Sequence, residues 1–112
     1  MAREQLILGK IQPFTVSLNK YGTYSMSQYN FVIAYWCSST KVITVPKHEA
    51  KRINDDSYMI WVDTRKTGCG KLTIAAKALL PDTDLPELTR PDIVVFDTGC
   101  DVVESPISNI EI

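Results

Sequence analysis

The sequence is poor in the residues that most often form enzyme active sites. It has a single histidine, His48, and three cysteines, Cys37, Cys69 and Cys100, without a C-x-x-C pair. An odd number of cysteines without that spacing indicates neither a disulfide framework nor a zinc site. His48 lies in the charged stretch Pro-Lys-His-Glu-Ala, which favours a solvated surface residue over a general base. We therefore expect no enzymatic activity, no cofactor and no metal ion.

Long apolar runs are also missing. No run approaches the roughly 20 residues that a helix needs to cross a membrane. The apolar centre of the first ten residues, MAREQLILGK, is too short for a signal peptide. We expect a protein that is made in the cytoplasm and does not contact a membrane. A length of 112 residues with 45% apolar residues fits one globular domain, and we assign residues 1–112 to it.

The glycine-rich stretch RKTGCGKLTIAA (residues 65–76) is an incomplete phosphate-binding loop. Arg65 stands where a P-loop needs its first glycine, and Leu72 stands where the hydroxyl ligand of Mg²⁺ should be. Glycine adopts positive φ without a steric penalty, as tight turns require. We therefore interpret Gly68 and Gly70 as the turn of a hairpin between two strands.

Alternation of apolar and polar residues predicts that most of the chain is β-strand. Residues 30–37, NFVIAYWC, are apolar on both faces, which predicts a central strand that packs on the core and also against another element or subunit. The only plausible helix is one or two turns within residues 46–56. We expect residues 81–92, which contain three prolines, to cross from one sheet to the other. The predicted strands are residues 14–18, 30–37, 40–46, 57–64, 71–80, 92–99 and 100–105.

Short strands with frequent turn signals predict an all-β fold, an antiparallel sandwich with at most one short helical turn. A small barrel is the alternative. Apolar residues in an N-terminal arm (1–10) and a C-terminal arm (105–112) either dock on neighbouring subunits, where they could add a strand to an open sheet edge, or pack on their own sandwich. Two aromatic residues within strands are further candidate anchors. The candidate interface residues are Leu6, Ile7, Leu8, Tyr35, Trp61, Ile107, Ile110 and Ile112.

Charge is divided unevenly along the chain. Residues 1–77 have a net charge of +6 and residues 78–112 one of −7, although the total is only −1. Such a division could orient subunits in an assembly, or it could mean that basic and acidic strands are neighbours within the domain. Acidic residues interrupt the basic cluster between residues 47 and 71, so nucleic-acid binding is not expected.

Residues 45–99 resemble a domain of tailed-bacteriophage virion proteins that is related to the N-terminal immunoglobulin-like domain of phage baseplate upper proteins. The resemblance implies a non-enzymatic structural role, in which a sandwich anchors a tail, baseplate or fibre component, or decorates a capsid. It also implies localisation in the virion, other virion proteins as partners, and a homo-oligomer. The sequence departs from this pattern at residues 87–88, where an Asp-Gly turn is expected. The resembling stretches are VPK, INDDSYMIWVDT, GCGKLTIAA, LPDTDLPE and TRPDIVVFDTG.

A carbohydrate- or ligand-binding module is the alternative function. Tyr21, Tyr24 and Tyr29 lie in a segment that also contains serine and glycine, before the long apolar strand. Tyrosines among small polar residues are typical of adaptable binding loops.

Overall fold

The computed structural model describes residues 3–18, 24–38, 41–81, 84 and 89–107. Over these residues the chain forms two sheets. In chain order the strands are β1 (Glu4–Ile7), β2 (Ile11–Ser17), β3 (Asn30–Cys37), β4 (Ile43–Pro46), β5 (Lys51–Asn54), β6 (Ser57–Asp63), β7 (Gly70–Pro81) and β8 (Thr89–Val103).

The two sheets form a sandwich. The large sheet has the strand order β1-β8-β7-β3-β4, and the small sheet has the order β2-β6-β5. The β1–β8 pair is parallel, whereas the other pairs are antiparallel. The predicted all-β sandwich is confirmed, and the barrel alternative is wrong because the sheets do not close.

The core lies between the two sheets and follows the alternation in the sequence. Every second residue of β7 is buried, and the same is true of β3 and β6. The rings of Phe31 from the large sheet and Tyr58 from the small sheet meet edge to face, with their centroids 4.9 Å apart. Removal of such apolar side chains from water stabilises the sandwich by roughly 25 cal/mol per Å² of buried surface.

The turn around Gly68 and Gly70 connects the two sheets and is not a hairpin. β6 belongs to the small sheet and β7 to the large one. Between them lies α1 (Thr64–Thr67), a single helical turn whose first amides are capped by Asp63, which accepts a hydrogen bond from the Arg65 N–H at 3.0 Å. Both glycines have positive φ, 70° and 129°. The prediction of a glycine turn is therefore confirmed, but the predicted hairpin is wrong.

Within residues 46–56, where one or two helical turns are expected, the structure has one short turn of 3₁₀ helix. Only Lys47–Glu49 form a 3₁₀ turn, and the chain then enters β5, which pairs with β6. Pairing with β6 satisfies backbone groups that a longer helix would have bonded internally. The Asn54 side chain accepts the Asp56 N–H at 3.0 Å within the β5–β6 turn.

Two expectations about the C-terminal third are also corrected. Residues 81–92 do not cross between sheets, because β7 and β8 are neighbours in the large sheet and Pro81 lies opposite Thr89. The two strands predicted at 92–99 and 100–105 are a single strand, β8. A bulge near Gly99, whose φ is 75°, interrupts its register with β7.

Part of the predicted N-terminal arm belongs to the sandwich. β1 pairs with residues Cys100–Val103 of β8, and Leu6 is only 5% exposed. Leu8 packs against the same core, whereas Ile7 faces outward and is 43% exposed. Of the two alternatives for the N-terminal arm, packing on its own sandwich holds for Leu6, and its prediction as an interface residue is wrong, since the pairing with β8 directs its side chain into the core.

Candidate protein interface on the large sheet

The face of the large sheet that points away from the core is largely apolar. Because side chains alternate along a strand, the residues between the buried positions of β3, β7 and β8 share this face. Ile93 and Val95 are the most exposed of them, each at 62%. We refer to this surface as the outer face, and its apolar members are Val32, Ala34, Trp36, Ala75, Leu79, Ile93 and Val95.

The register of the strands places these residues side by side. Ala75 of β7 lies opposite both Ala34 of β3 and Val95 of β8. In the next row, Lys77 lies between Val32 and Ile93. Apart from Lys77, the side chains of these two rows are apolar, as in the core of a protein–protein interface.

Polar residues border this apolar surface at one end. Trp36 and Thr73 occupy the last row together with Asp97, whose carboxylate lies 3.4 Å from the Lys71 ammonium group. This arrangement of an apolar centre and a polar margin is common in interfaces. The prediction that β3 carries apolar residues on both of its faces is confirmed. On β8, none of the described elements covers Ile93 or Val95.

The first part of β8 is also an open edge of the large sheet. β1 pairs only with Cys100–Val103, so among the described residues Thr89–Asp97 have a strand neighbour on one side only, β7. The N–H of Ile93 donates to the side chain of its own neighbour Asp92 at 3.0 Å. That bond indicates that the Ile93 N–H points away from β7.

The directions of the neighbouring N–H groups follow from that observation. In an antiparallel pair, alternate residues direct their backbone groups toward and away from the partner strand. Val95 and Asp97 therefore direct their N–H groups outward as Ile93 does. Pro91, two residues before Ile93, belongs to the same set, and there a proline removes no hydrogen bond to β7. The edge thus presents backbone donors and acceptors to an additional strand.

Arg3 closes the other end of this edge. Its Nε donates to Asp101 at 2.7 Å, its Nη1 donates to Asp97 at 2.9 Å, and it also donates to the backbone carbonyl of Cys100 at 3.0 Å. These bonds hold the pKa of Asp97 well below its usual range, chiefly through the hydrogen bonds from Arg3. Basic and acidic residues from opposite ends of the sequence thus meet within one domain here.

A groove of about 740 Å³ lies at the other end of the outer face. Apolar side chains form part of its wall, among them Phe31, Val32 and Leu79. The Lys47 ammonium lies 5.5 Å from the centroid of the Phe31 ring and donates to the carbonyls of residues 27 and 29, at 2.9 and 2.8 Å. His48 is an exposed part of the rim. The size of the groove is typical of a small-molecule site.

The predicted interface residues within the described part of the chain do not form one surface. Tyr35 is a core residue, only 2% exposed, and its hydroxyl accepts the Asp63 N–H at 3.3 Å, so the prediction of an aromatic anchor is wrong there. Trp61 is 47% exposed, but it lies on the small sheet. Ile107 is exposed beyond the end of β8. Ile110 and Ile112 lie outside the described residues.

The residues that sequence reasoning missed are Leu79, Ile93 and Val95. A signal was present, because the stretch DIVVFD in β8 is apolar at consecutive positions, as β3 is. A strand with apolar residues on both faces needs cover on both faces. Applying that argument to β8 as well as to β3 would have identified the outer face.

The three tyrosines proposed for ligand binding do not all lie on the surface. Tyr29 is buried, and this burial raises its pKa to about 12. Tyr24 is partly exposed, while Tyr21 lies outside the described residues. The expectation of a three-tyrosine site is therefore wrong at Tyr29, which the core requires.

The reactive groups of the described residues do not converge on one place. Within this part of the chain, no group of three or more histidine, cysteine or acidic residues could hold a metal ion. Cys37 and Cys100 are buried and Cys69 is exposed. Burial raises the pKa of the Cys37 thiol, which disfavours the thiolate. No helix among these residues has the length and apolar character to cross a membrane.

Comparisons with known proteins identify no family. No family model matches the chain, and no curated protein matches it. A solved structure from Bacteroides vulgatus ATCC 8482, described as a candidate glycoside hydrolase, is similar with a TM-score of 0.47 and 10% sequence identity. The alignment covers 92% of this chain but only 17% of that protein. A likeness of this degree carries no argument about function.

Proposed function

We propose that the chain is a non-enzymatic structural protein that assembles through protein–protein contacts of its large sheet. The observation that carries this proposal is the apolar outer face, on which Ile93 and Val95 are each 62% exposed. This face is a second apolar surface in addition to the core, and the described part of the chain leaves Ile93 and Val95 exposed on it. Contiguous apolar patches beyond a few hundred Å² are rare on monomers and mark interaction sites.

The shape of the surface favours a macromolecular partner. The outer face is the face of a sheet and not a pocket, and its apolar residues have a polar margin at Asp97 and Lys71. Small ligands prefer concave sites that enclose most of their surface. A protein surface with complementary apolar residues can cover the outer face without a pocket.

The resemblance to phage baseplate upper proteins supplies the context. On this proposal the chain is a component of a virion, made in the host cytoplasm, which joins other virion proteins in a tail, baseplate or fibre. It also associates with copies of itself. A decoration or head-fibre protein of the capsid is the alternative within the same class, because either position requires the same kind of surface.

Ala75 offers a direct test, because it lies at the centre of the outer face between Ala34 and Val95. We expect Ala75→Arg to remain folded but to be lost from virus particles, since a charge would be buried in the contact. The control is Thr15→Arg, an exposed strand position on the small sheet. Particles are separated on a density gradient and probed for the wild type and for both variants. Equal incorporation of both variants, or wild-type protein absent from particles, contradicts the proposal.

The groove beside Phe31 favours a second candidate function, a ligand-binding module. It combines apolar walls with the polar groups of His48 and Lys77 at its margin. A glycan array with the wild type and with Leu79→Asp tests it, because Leu79 lines the groove. Binding by the wild type that Leu79→Asp abolishes supports this function. Absence of binding to every glycan leaves the assembly proposal as the better explanation of the outer face.

A further inference from the structure

We propose that the open edge of β8 pairs with the same edge of a second copy of the chain. The two strands run antiparallel about a two-fold axis at Val94, so that two large sheets become one continuous sheet. This inference rests on the proposed assembly function, and it identifies one partner as a second copy and one contact as a strand pair.

The first support is the state of the edge. Proteins usually protect exposed edges with charges, prolines, bulges or a covering strand. In β8 such devices stand at the two ends of the open stretch: Pro91 and Asp92 at the beginning, and Asp97 with the Gly99 bulge at the end. In the described part of the chain, the stretch from Ile93 to Phe96 has none of them, and it directs the Val95 N–H outward, as inferred from the Asp92–Ile93 bond.

The second support is self-complementarity. A two-fold axis perpendicular to the sheet places the outer faces of both copies on the same side. Residues that lie opposite each other must then belong to the same face. The axis therefore lies between one residue and the same residue of the partner. With the axis at Val94, Ile93 lies opposite the partner's Val95, and Val95 lies opposite the partner's Ile93. These are hydrogen-bonded positions of an antiparallel pair, and two apolar cross-strand pairs form on the outer face.

Neighbouring registers are less favourable. An axis at Val95 places Ile93 opposite the carboxylate of the partner's Asp97, a poor neighbour for an aliphatic side chain. An axis at Ile93 places Val95 opposite the partner's Pro91, so a carbonyl next to the axis has no N–H partner. The register at Val94 also leaves a carbonyl opposite Pro91, but it is that of Asp97 at the end of the contact. Only the register at Val94 pairs each exposed apolar side chain with the other.

Charge does not oppose this register. Asp97 lies opposite the partner's Pro91, and its negative charge is already balanced by Arg3 at 2.9 Å. Asp92 lies opposite the partner's Phe96, so carboxylates do not face each other. The Asp92 side chain does compete for the Ile93 N–H, with which it forms a 3.0 Å bond in the single chain. We therefore expect association that depends on concentration and not a permanent dimer.

The test is sedimentation equilibrium of the purified chain over a wide concentration range. Val95→Lys places a charge between the apolar pairs, and Val95→Pro removes the outward N–H without altering the side that faces β7. We expect the wild type to dimerise, and each variant to dimerise about tenfold or more weakly, because hydrogen bonds and an apolar pair are lost in both halves of the symmetric contact. Circular dichroism verifies that each variant is folded.

The matched control is Val42→Lys. Val42 is 50% exposed and precedes β4, the opposite edge of the large sheet. We expect its dimerisation constant to equal that of the wild type. Wild-type protein that is monomeric at every concentration overturns the pairing, as does equal weakening by Val42→Lys and Val95→Lys.

Particle incorporation distinguishes failure of the pairing from failure of the proposed function. A monomeric wild type that still enters particles, and does so only with Ala75 intact, overturns the strand pairing and leaves the assembly function standing. A dimer that Val95→Pro disrupts, without any incorporation into particles, supports the pairing and contradicts the virion role.

Discussion

The two parts of β8 have different neighbours, although they belong to one strand. Residues Cys100–Val103 lie between β7 and β1, and Val102 is almost completely buried. Residues Thr89–Asp97 pair with β7 alone in the described structure, and they expose Ile93 and Val95. The difference does not arise from composition, because both parts are rich in valine. It arises because β1 is only four residues long and ends the covered part of the edge at Cys100.

The bulge at Gly99 separates the two parts. Between the pairs Thr73–Asp97 and Lys71–Asp101, β8 contains more residues than β7 does. Thr98 donates from its hydroxyl to the Leu72 carbonyl at 2.9 Å, which holds the bulged segment on β7. Bulges bend a strand and end regular pairing. The covered and open parts of β8 can therefore differ in direction and in partner, and mutations should affect them differently.

The largest effect should come from weakening the contact of β1, which covers Cys100–Val103 of β8. We expect Leu6→Ala to reduce the free energy of unfolding by about 2–5 kcal/mol, because a buried side chain is replaced by a cavity. Ile7→Ala, on the exposed face of the same strand, should cost less than about 1 kcal/mol. Urea unfolding monitored by tryptophan fluorescence measures both. Similar losses would mean that β1 does not pack on the core as described.

Proline substitutions at Val94 and Val95 should distinguish the side of β8 that pairs with β7 from the side that forms the open edge. The Val94 N–H points toward β7, so Val94→Pro breaks the ladder and leaves an acceptor of β7 without its partner, at a cost of about 1–3 kcal/mol. Val95→Pro should cost clearly less, because that N–H faces the open edge. Thermal unfolding at a concentration low enough for monomers compares them. A greater loss for Val95→Pro would reverse the assignment of the edge.

A smaller effect should follow from the ion pairs that fasten β1. Because the folded-state pKa of Asp97 is depressed, its contribution to stability is fully present above the unfolded value of about 3.9 and is lost as the pH falls toward the folded pKa. We expect Arg3→Gln to lower the melting temperature slightly at pH 7, since the pairs are exposed to solvent. The difference from the wild type should shrink at pH 3. A difference that is the same at both pH values would exclude Asp97 as the cause.

Much of the fold was predictable because each strand carries its own pattern. The alternation of Leu72, Ile74 and Ala76 predicts the buried face of β7, and that prediction is confirmed. The open edge was not predictable in this way. Its position depends on where β1 pairs, and a four-residue segment with only two apolar residues, Leu6 and Ile7, has no period that reveals its partner.

The errors have a common origin in contacts between distant parts of the chain. Gly68 and Gly70 indicate a turn, but local sequence does not determine whether the next strand joins the same sheet or the opposite one. Tyr35 is apolar enough for an interface, yet the backbone N–H of Asp63 and the core around it hold it inside. The sequence therefore predicts only the part of the candidate site that lies on β3.

The sequence alone determined that this chain is a β-sandwich and which side of most strands faces its core, because apolar periodicity is a property of each strand by itself. Only the tertiary structure decided which strands are neighbours, which apolar residues remain on the surface, and where an edge stays open. Strand order depends on long-range pairing, and that pairing is set by the combined packing of all the strands and not by the residues of any one of them.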